Sequence, residues 1–416
     1  MAITADIVII GAGIMGLSIA RELKRRQPNQ KIIVLEKETT LGIHASGRNS
    51  GVLHTGIYYA ENSLKAKVCA EGAREIAAYC DEQQLPIKRV GKVILPIHED
   101  NTGLDLLFHR AKANGAKVEL IDTQQLCEVE PEAYSITGKS LYLPKVAVID
   151  PVPILFRLAN SLRDQGVELL FNREAKTFNS KIGSVHTIKE AISFGHLFNT
   201  AGLYADKVAR AFGIGREYTI LPFKGLYYRL NETSGLEVNG HIYPVPDLRV
   251  PFLGVHFTKK INGEVYVGPT AIPAFGRENY QGLEGLDLTD TASIILQVFQ
   301  QYRANRQGFR KLVHEEGRRF LKKYFVDAAK VLIPKLKPQD LSKSKKVGIR
   351  AQLMNIKTNE LVMDFLIQKG EKSTHILNAV SPAFTSAFSF SRFILDHYYE
   401  YNQSKRCIGN SSVINN

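Results

Sequence analysis

Two short apolar runs enclose an amphipathic segment at the start of the chain. Residues 6–10 (DIVII) and 31–36 (KIIVLE) are rich in β-branched side chains, which is typical of buried strands. Residues 14–27 between them have helical periodicity, and the cations at 24–26 suit the carboxyl end of a helix dipole. The pattern therefore predicts a strand–helix–strand unit.

The rest of the chain alternates between helical and extended patterns. Helices are predicted at residues 62–85, 150–165, 290–331 and 384–401 and from residue 203, and strands at 90–97, 167–171, 196–199 and 376–378. Asp150 and Pro151 mark the start of one helix, because Asp caps free N–H groups and Pro fits a first turn. Residues 224–269 alternate short segments rich in Tyr, Val, Ile and Phe with turns, which predicts an antiparallel sheet.

Composition and charge narrow the class of protein. The 416 residues are 44% hydrophobic and 23% charged, which is ordinary for a folded chain of two or three domains. The net charge of +13 is clearly basic, but no Lys/Arg block is long enough for a nucleic-acid-binding arm, so no nucleic acid partner is expected. A solvated basic face is the plain interpretation, and docking on an anionic membrane surface is the alternative.

Cysteine spacing and the terminal sequences bear on location. Cys69, Cys80, Cys127 and Cys407 show neither zinc-ligand spacing nor a disulfide framework, so we expect no metal and a reducing, cytoplasmic compartment. The first residues lack the order of a secretory signal, and no apolar run approaches the ~20 residues that span a bilayer. Membrane contact, on the inner face of a membrane, is expected to be peripheral. Residues 403–416 are expected to form a disordered tail.

The turn after the first strand carries the motif G-x-G-x-x-G, as Gly11, Gly13 and Gly16. It follows a predicted strand, opens a predicted helix and precedes Glu36 by about 20 residues, as in dinucleotide-binding turns. Gly11 permits the tight turn, Gly13 lets the backbone approach a pyrophosphate, and Gly16 lets the helix pack closely. The pyrophosphate is expected at the helix N-terminus, and Glu36 is expected to accept hydrogen bonds from the adenosine ribose. A dinucleotide cofactor is therefore predicted.

Two further segments favour FAD over NAD as that cofactor. Thr200, Ala201 and Gly202 follow a later predicted strand and resemble the second flavin-contacting turn of two-dinucleotide-fold flavoproteins. A stretch of small and polar residues after Glu36 is expected to run along the pyrophosphate and ribityl chain. The cofactor-binding candidates there are Lys37, Ser46, Arg48, Asn49, Ser50, Gly51 and Val52.

Eight segments carry a resemblance to a known family. They are GRNSGVLHTGIYY (47–59), SLKAKVC (63–69), NTAGLYAD (199–206), LPFKG (221–225), HIYPVPDLRVPFLGVHFT (241–258), VGPTAIPAFGRE (267–278), GIRAQ (348–352) and NAVSPAFTSA (378–387). In these segments the chain resembles the L-2-hydroxyglutarate dehydrogenase/oxidase family of the D-amino-acid-oxidase-like FAD enzymes. Two departures are modest: Lys224 stands where an Arg is common, and Phe384 stands where a smaller residue is common.

The resemblance implies an α/β fold, an α+β composite. A Rossmann-like FAD-binding domain would be assembled from the discontinuous segments 1–85, 140–220 and 340–402. A substrate domain built on an antiparallel sheet would take residues 86–139 and 221–339. The resemblance also implies oxidation of L-2-hydroxyglutarate to 2-oxoglutarate, by hydride transfer from the substrate α-carbon to flavin N5.

That reaction needs a base for the hydroxyl proton of a small 2-hydroxy dicarboxylic acid. His54, just beyond the flavin-lining stretch, is the first choice, because a histidine titrates near neutrality. His256 is the second choice, since on an alternating strand it faces away from Val255 and Phe257. A merely structural histidine is the alternative interpretation of each.

Candidate contacts to the substrate carboxylates and the flavin lie in several segments. Arg350 lies in a segment similar to a Gly-x-Arg beside the flavin in the superfamily, and is assigned to a carboxylate or the flavin's pyrimidine edge. Lys224 is assigned either to the distal carboxylate, although a Lys lacks the bidentate grip of an Arg, or to capping a strand end. Tyr58, Tyr59, Tyr243 and Arg277 are further candidates for carboxylate contacts. Ser381, Pro382, Ala383 and Thr385 are expected to bring a helix N-terminus near the flavin.

Several alternatives stay open at this point. The chain could be an amino-acid or amine oxidase of the glycine or sarcosine type, a glycerol-3-phosphate dehydrogenase, or a flavin-bound scaffold without turnover. His44 could carry the flavin covalently, although non-covalent binding is expected. Oxygen and a quinone are both open as the electron acceptor.

Overall fold

The computed structural model describes residues 3–399, and the expected disordered tail at 403–416 lies outside them. The α-helices in the described range are α1 Ile14–Arg26, α2 Ala45–Arg48, α3 Leu64–Glu82, α4 Thr102–Ala113, α5 Thr123–Val129, α6 Pro151–Asp164, α7 Ala205–Ala211, α8 Leu288–Ala304, α9 Phe309–Arg318, α10 Lys322–Lys330 and α11 Ala383–Tyr398. Short 3-10 helices lie at Gly202–Tyr204, Glu232–Ser234, Arg306–Gly308 and Pro338–Asp340.

The strands of the same range form three sheets. They are β1 Ile3–Ile10, β2 Ile32–Leu35, β3 Ile87–Arg89, β4 Lys92–Leu95, β5 Glu119–Ile121, β6 Ser140–Leu143, β7 Ala147–Ile149, β8 Glu168–Leu170, β9 Thr177–Asn179, β10 Ser184–His186, β11 Ala191–Asn199, β12 Tyr218–Leu230, β13 His241–Pro244, β14 His256–Lys259, β15 Val265–Gly268, β16 Ile272–Pro273, β17 Leu341–Asn355, β18 Glu360–Leu361, β19 Ile367–Gly370 and β20 Ser373–Ile376.

The first sheet is parallel at its centre. Its strands run in the order β19-β20-β11-β1-β2-β8, and β10 and β9 extend it from β11 in antiparallel fashion. A parallel sheet buries both of its faces, and β1 alternates accordingly. Ile7 and Ile9 face one core, whereas Val8 and Ile10 face the other.

Helices α1, α3, α6 and α11 cover one face of this sheet and share one apolar core. α11 packs against both α1 and α3. α6 begins where the sequence indicates, because the Asp150 carboxylate accepts the N–H of Val152 at 3.2 Å and Pro151 occupies the first turn. The core therefore closes over the strand–helix–strand unit at the start of the chain.

The second sheet is antiparallel except where β13 pairs with β4. Its order is β18-β17-β12-β15-β14-β13-β4-β6-β5, with β16 paired to β12. The long β12–β17 ladder runs from Tyr218 opposite Asn355 to Leu230 opposite Leu341. α10 packs on one core of this sheet through Phe325, and α8 and α9 pack on another through Ile294 and Phe309.

The structure confirms the predicted fold class and the main elements. The predicted strand at 376–378 differs: β20 runs over Ser373–Ile376, because those residues pair with β11 and β19. Asn378 has left the sheet, and its side chain bonds the backbone of Val362, Leu353 and Asp364 instead. None of the helices within residues 3–399 combines the length and hydropathy needed to cross a membrane.

The proposed domain division does not follow the sheets at three of its boundaries, one of which, between residues 220 and 221, cuts through β12. Residues 140–143 and 341–355 were assigned to the FAD-binding domain, yet β6 and β17 hydrogen-bond within the second sheet. Cross-strand hydrogen bonds join residues distant in sequence, so a local pattern does not reveal sheet membership. The division otherwise stays a prediction.

A buried ion pair ties α7 to the segment before α8. Arg277 Nη1 and Nη2 lie 2.7 and 3.0 Å from the two carboxylate oxygens of Asp206, and both residues are at most 5% exposed. The Asp206 carboxylate also accepts the N–H of Ile220 in β12 at 3.1 Å. Burial raises the pKa of Asp206, but the hydrogen bonds and charge of Arg277 lower it more, so the net pKa is below its usual value.

We predict that Asp206→Asn lowers the free energy of unfolding by about 3 kcal/mol, because it leaves the buried Arg277 charge with only its longer ion pair, to Asp290 at 3.4 Å. Urea unfolding at pH 7 checks this. Asp247→Asn is the matched control, since Asp247 pairs with the exposed Arg249 and should cost less than about 1 kcal/mol. The difference should shrink as the pH falls through the depressed pKa of Asp206, because the wild-type pair is then lost too. Equal effects of the two variants would contradict the prediction.

Candidate active site

A cavity of about 740 Å³ is lined by residues of both sheets. One end lies at the carboxyl ends of the first sheet's strands, where Gly11, Glu36 and Thr200 line it. The other end is lined by Tyr227 of β12 and His256 of β14, from the second sheet. Its volume is in the range of cofactor and ligand sites.

The turn after β1 is built from glycine because nothing larger fits. Gly11 has a φ of +97°, and a Cβ there would lie 2.8 Å from the carbonyl oxygen of Thr200. A Cβ on Gly16 would lie 2.0 Å from the carbonyl oxygen of Gly11, so Gly16 serves the packing of α1 on the turn and does not itself line the cavity. Gly13 lines the cavity and precedes α1, which has no cap from the Gly13 position.

Glu36 follows β2 and lines the same end of the cavity. Its carboxylate accepts the N–H of Ala12 at 2.9 Å and the N–H of Glu38 at 3.0 Å, which holds it beside the glycine turn. A carboxylate has about four acceptor positions, so it can still accept from a ribose. The helix start, the glycine turn and this carboxylate together fit the pyrophosphate and ribose of a dinucleotide.

A charged cluster borders this end. Lys37 forms ion pairs with Glu38 and with Glu278, the latter at 2.6 Å. His44 Nε2 lies 2.8 Å from Glu38 Oε1, and Nδ1 lies 2.9 Å from the hydroxyl of Tyr280. Glu38, His44 and Glu278 bring ligand atoms within 4.8 Å of one another, but the Lys37 ammonium already supplies a cation to both carboxylates. Both His44 nitrogens are engaged within this cluster, and non-covalent flavin binding stays a prediction.

The predicted flavin-lining stretch lies along the cavity. Ser46, Arg48, Asn49, Ser50 and Val52 all line it, as does Lys37. Gly51 does not line it, because its backbone turns to β7 and its carbonyl accepts the N–H of Ile149 at 2.9 Å. The ammonium groups of Lys260 and Lys346 donate to the carbonyls of Ser50 and Asn49, so the second sheet holds this stretch in place.

Two later segments complete the cofactor end. Thr200, Ala201 and Gly202 line the cavity, and the Thr200 hydroxyl donates to the Ile10 carbonyl at 2.7 Å. Ser381, Pro382, Ala383 and Thr385 line it at the N-terminus of α11. The Thr385 hydroxyl accepts the N–H of His54 at 3.2 Å, which connects α11 to the catalytic candidates.

The structure brings most of the substrate-site candidates together. His54, Tyr58, Tyr59, Tyr243, His256 and Arg350 line the end of the cavity away from the glycine turn. Val255 and Phe257 lie in the second sheet's core, so the predicted alternation around His256 is confirmed. These side chains come from four separate chain segments.

His256 is held in one tautomer. Its Nδ1 lies 2.8 Å from the carbonyl oxygen of Gly254, and a carbonyl can only accept, so Nδ1 carries the hydrogen and Nε2 is an acceptor. The Tyr243 ring stacks on the imidazole with centroids 3.8 Å apart. Burial lowers the pKa of His256 well below its usual value, and the charge of Lys92 lowers it further, although the bond to Gly254 opposes this. His256 is therefore neutral at physiological pH.

His54 is also neutral but less constrained. Burial, with a smaller effect of the Lys92 charge, lowers its pKa to about 3. Its Nδ1 is buried without a hydrogen-bond partner within residues 3–399, and Nε2 lies 3.5 Å from the Ser381 hydroxyl. The buried hydroxyl of Tyr58 likewise has no partner in that range. Two unpartnered polar atoms at one end of a cavity indicate a polar ligand there.

Of the three cations predicted to contact the substrate, Arg350 lines the cavity, whereas Lys224 and Arg277 do not. Arg350 lines it, donates to the Thr270 carbonyl at 3.3 Å and lies 5.5 Å from the centre of the Phe252 ring. Lys224 points away and donates to Asn279 Oδ1 at 2.8 Å, because alternation on β12 turns it to the opposite face from Gly225. The Arg277 guanidinium is used by the Asp206 pair.

Sequence reasoning missed several residues of the cavity. Tyr227 lines it, and the alternation of β12 from Gly225 would have pointed to it. Lys65 lines it and donates to the Met363 carbonyl at 2.6 Å, and burial lowers its pKa to about 8. Arg110 of α4 also lines it. Nothing local in the sequence distinguishes Lys65 or Arg110 from other surface cations.

Comparison with known proteins agrees with this geometry. The L-2-hydroxyglutarate dehydrogenase of Indibacter alkaliphilus is 36% identical over 393 residues, covering 92% of this chain and 96% of the relative. The mitochondrial L-2-hydroxyglutarate dehydrogenase of Homo sapiens is 34% identical, covering 94% of this chain and 88% of the relative. The expected family resemblance is therefore confirmed.

Solved structures share the fold at lower identity. The L-α-glycerophosphate oxidase of Mycoplasma pneumoniae, with FAD bound, superposes with a TM-score of 0.72 at 21% identity, covering 94% of this chain and 93% of that chain. Glycine oxidase of Geobacillus kaustophilus gives a TM-score of 0.68 at 14% identity, covering 95% and 94%. A family model described as FAD dependent oxidoreductase matches residues 6–392. The chain therefore belongs to the FAD-dependent oxidoreductase family and is a relative of the L-2-hydroxyglutarate dehydrogenases.

Proposed function

We propose that this protein oxidises L-2-hydroxyglutarate to 2-oxoglutarate, with FAD held along the first sheet's end of the cavity. The observation that carries the proposal is the polar end of the cavity, where buried His54 Nδ1 and the Tyr58 hydroxyl lack partners within residues 3–399. A small acid bearing a hydroxyl supplies acceptors and a donor for such groups. The curated relatives support the identity of that acid.

When bound, FAD supplies the acceptor for the hydride that leaves the substrate α-carbon, at N5. The chain's own residues then have two tasks, to hold the carboxylates and to take the hydroxyl proton. Arg350, whose guanidinium is permanently charged, binds a carboxylate in this proposal, and the Tyr58 hydroxyl donates to the substrate beside it. His256 takes the hydroxyl proton on Nε2, because its tautomer leaves that nitrogen unprotonated. His54 is the other candidate base.

Other activities of the superfamily are consistent with the fold, but the proteins that have them are less similar to this chain in sequence. Glycine- and sarcosine-type oxidases and glycerol-3-phosphate dehydrogenases remain the alternatives, and solved neighbours include a glycine oxidase and a glycerophosphate oxidase. At 21% and 14% sequence identity, the structural similarity shows a shared fold and no more. A scaffold without turnover would leave the unpartnered polar atoms at the cavity's end unexplained.

We further propose that the protein docks peripherally on an anionic membrane through α8. The helix buries Ile294 and Gln301 and exposes Leu288, Ile295 and Phe299 on one side, with Leu288 90% exposed. We call Leu288, Ile295, Phe299 and Arg303 the α8 face. Phe275, Leu283, Leu286 and Leu296 add exposed apolar area nearby. Exposed apolar patches of this kind mark interaction sites.

Charge beside the α8 face favours a lipid surface over another partner. The Arg303 guanidinium lies 6.0 Å from the Phe299 ring centre, and Arg310 lies 5.6 Å from the Tyr302 ring centre. Apolar side chains flanked by arginines suit the headgroup region of an anionic bilayer, and the net charge of +13 adds attraction. We infer that a quinone in that membrane accepts the electrons, with oxygen as the alternative.

The first prediction for this function concerns the flavin itself. Under anaerobic conditions, L-2-hydroxyglutarate should bleach the visible flavin absorbance of the holoprotein, because the substrate reduces the cofactor. D-2-hydroxyglutarate, glycine, sarcosine and glycerol-3-phosphate serve as controls and should not. If one of these controls alone bleaches the flavin, that compound replaces L-2-hydroxyglutarate as the proposed substrate. If neither L-2-hydroxyglutarate nor any control bleaches it, the result would support a flavin-bound scaffold without turnover.

The second prediction concerns the base. His256→Asn should lower kcat by about 10²–10⁴-fold while the protein keeps its FAD, because proton transfer to Nε2 is lost. Stopped-flow flavin reduction measures this, and the flavin spectrum checks that the site is intact. His54→Asn is the matched comparison. A larger loss of kcat in His54→Asn would move the role of base to His54.

The third prediction concerns the membrane. The protein should sediment with vesicles of phosphatidylglycerol and phosphatidylcholine, less with pure phosphatidylcholine, and binding should weaken as salt rises. Leu288→Glu with Phe299→Glu should abolish sedimentation. Ile188→Glu is the control, since Ile188 is 71% exposed on the first sheet's side. Failure to bind anionic vesicles at low salt would refute the proposal, and an altered oligomeric mass of the double variant would assign the face to a second copy.

A further inference from the structure

A buried lysine lies behind the substrate end of the cavity and has no part in the chemistry described above. Lys92 of β4 is 3% exposed, and its ammonium lies 3.8 Å from the ring centre of Tyr243 and 4.6 Å from that of Tyr58. Both tyrosines line the cavity, whereas Lys92 does not. The ammonium is therefore separated from the ligand space by two aromatic rings.

The surroundings of Lys92 are basic or neutral. The titratable groups that face it are His241 and Tyr243 of β13, His54 and Tyr58 of the 52–59 segment, His256 of β14, and Cys69 of α3. None of these is a carboxylate, and within residues 3–399 no ion pair to Lys92 is found. Cys69 is the only group whose charge favours the ammonium, but burial raises the pKa of its thiol to about 12, so it is neutral.

His241 shows the same lack of partners on the neighbouring strand. It lies opposite Lys92 in the β13–β4 register, is fully buried, and has no hydrogen-bond partner for either ring nitrogen within the described residues. A buried cation is stable only when charge or hydrogen bonds compensate it. None of the described groups that face Lys92 supplies that compensation, so without a ligand the neutral amine is favoured, and an anion that enters the cavity beyond Tyr58 and Tyr243 would favour the ammonium.

We propose that Lys92 is a positioning residue that takes up a proton when a dicarboxylate anion binds in the cavity. The inference rests on the proposed function, since that function supplies the anion. The proton comes from solvent and binds the amine nitrogen of Lys92, and no other bond changes. The resulting ammonium attracts the anion through the two rings and holds it at the polar end of the cavity.

The direction of the pH dependence follows from burial. Burial lowers the pKa of Lys92 from 10.5 to about 7, so above neutrality the unliganded side chain is mostly neutral. A nearby anion favours the charged form and raises that pKa. Proton uptake on binding should therefore be largest between about pH 7.5 and 9 and should vanish below about pH 6, where Lys92 is already charged. Uptake by the buried histidines would show the opposite trend, rising as the pH falls.

The test is calorimetric titration of the oxidised holoprotein with 2-oxoglutarate at pH 8, in buffers of different ionisation enthalpy. The slope of the binding heat against that enthalpy gives the protons taken up, and about one is expected. Lys92→Met should abolish the uptake and weaken binding about tenfold. Lys92→Arg should bind without uptake and with an affinity that no longer depends on pH in this range, because an arginine stays charged.

Control measurements separate the other sources of a proton. Lys65→Met tests the second buried lysine at the cavity, whose pKa is about 8. Uptake that persists in Lys92→Met, or that grows towards pH 5 in the wild-type protein, would overturn the inference. The wild-type pH series decides this even where a variant does not fold. Binding of 2-oxoglutarate without uptake would refute this inference alone, whereas absence of binding would refute the proposed substrate and the inference together.

Discussion

Parallel pairing around β1 is the constraint on which the rest of the structure depends. β1 lies between β2 and β11, and β20 pairs in parallel with β11, so these strands end at the same edge of the first sheet. The residues that follow each of them, Gly11, Glu36, Thr200 and Leu377, all line one cavity. Backbone N–H groups and a helix start gather at such an edge, which is why it receives the anionic part of a dinucleotide.

The second sheet makes this edge into an enclosed site. β12 and β17 run side by side over most of their length and present Gly225, Tyr227, Gly348 and Arg350 to the cavity. Other side chains of these strands make contacts outside the cavity. The Lys224 ammonium, for example, donates to Asn279. On β12, alternation thus decides which of two adjacent residues lines the cavity, whereas on β17 Ile349 and Ala351 line it as well. A shift of one residue in register would exchange the two sets.

The electrostatics of the substrate end follow from burying basic groups without acids. Burial lowers the pKa of His54, His241, His256 and Lys92 alike, because each charged form loses its hydration. The histidines are consequently neutral, and each has one ring nitrogen that carries no hydrogen. No carboxylate of the described residues faces Lys92, so an acidic ligand in the cavity is what would favour its charged form.

Local sequence was sufficient for the nucleotide half of the site. The structure places Gly11, Gly13, Glu36 and the turn at 200–202 along one cavity and Gly16 in the packing of α1, and the contacts of these residues with the cofactor stay a prediction. The start of α6 at Asp150 and Pro151 could also be predicted from the sequence, because a helix cap involves residues that are neighbours in sequence. The family and the fold class followed from segments spread over the chain.

The substrate half depended on tertiary structure. Lys224 and Arg277 had the right charge in the right segments, but cross-strand packing gave their side chains to Asn279 and Asp206. Lys92 lies in none of the motifs, and His241 begins a family-like segment but had no predicted role. The parallel register of β4 and β13 sets these two residues opposite each other, and Lys92 lies behind Tyr58 and Tyr243. By itself, the sequence determined the cofactor class, because that site is made of short-range turns. Tertiary structure decided which basic side chains share the pocket, because those contacts join residues far apart in the chain.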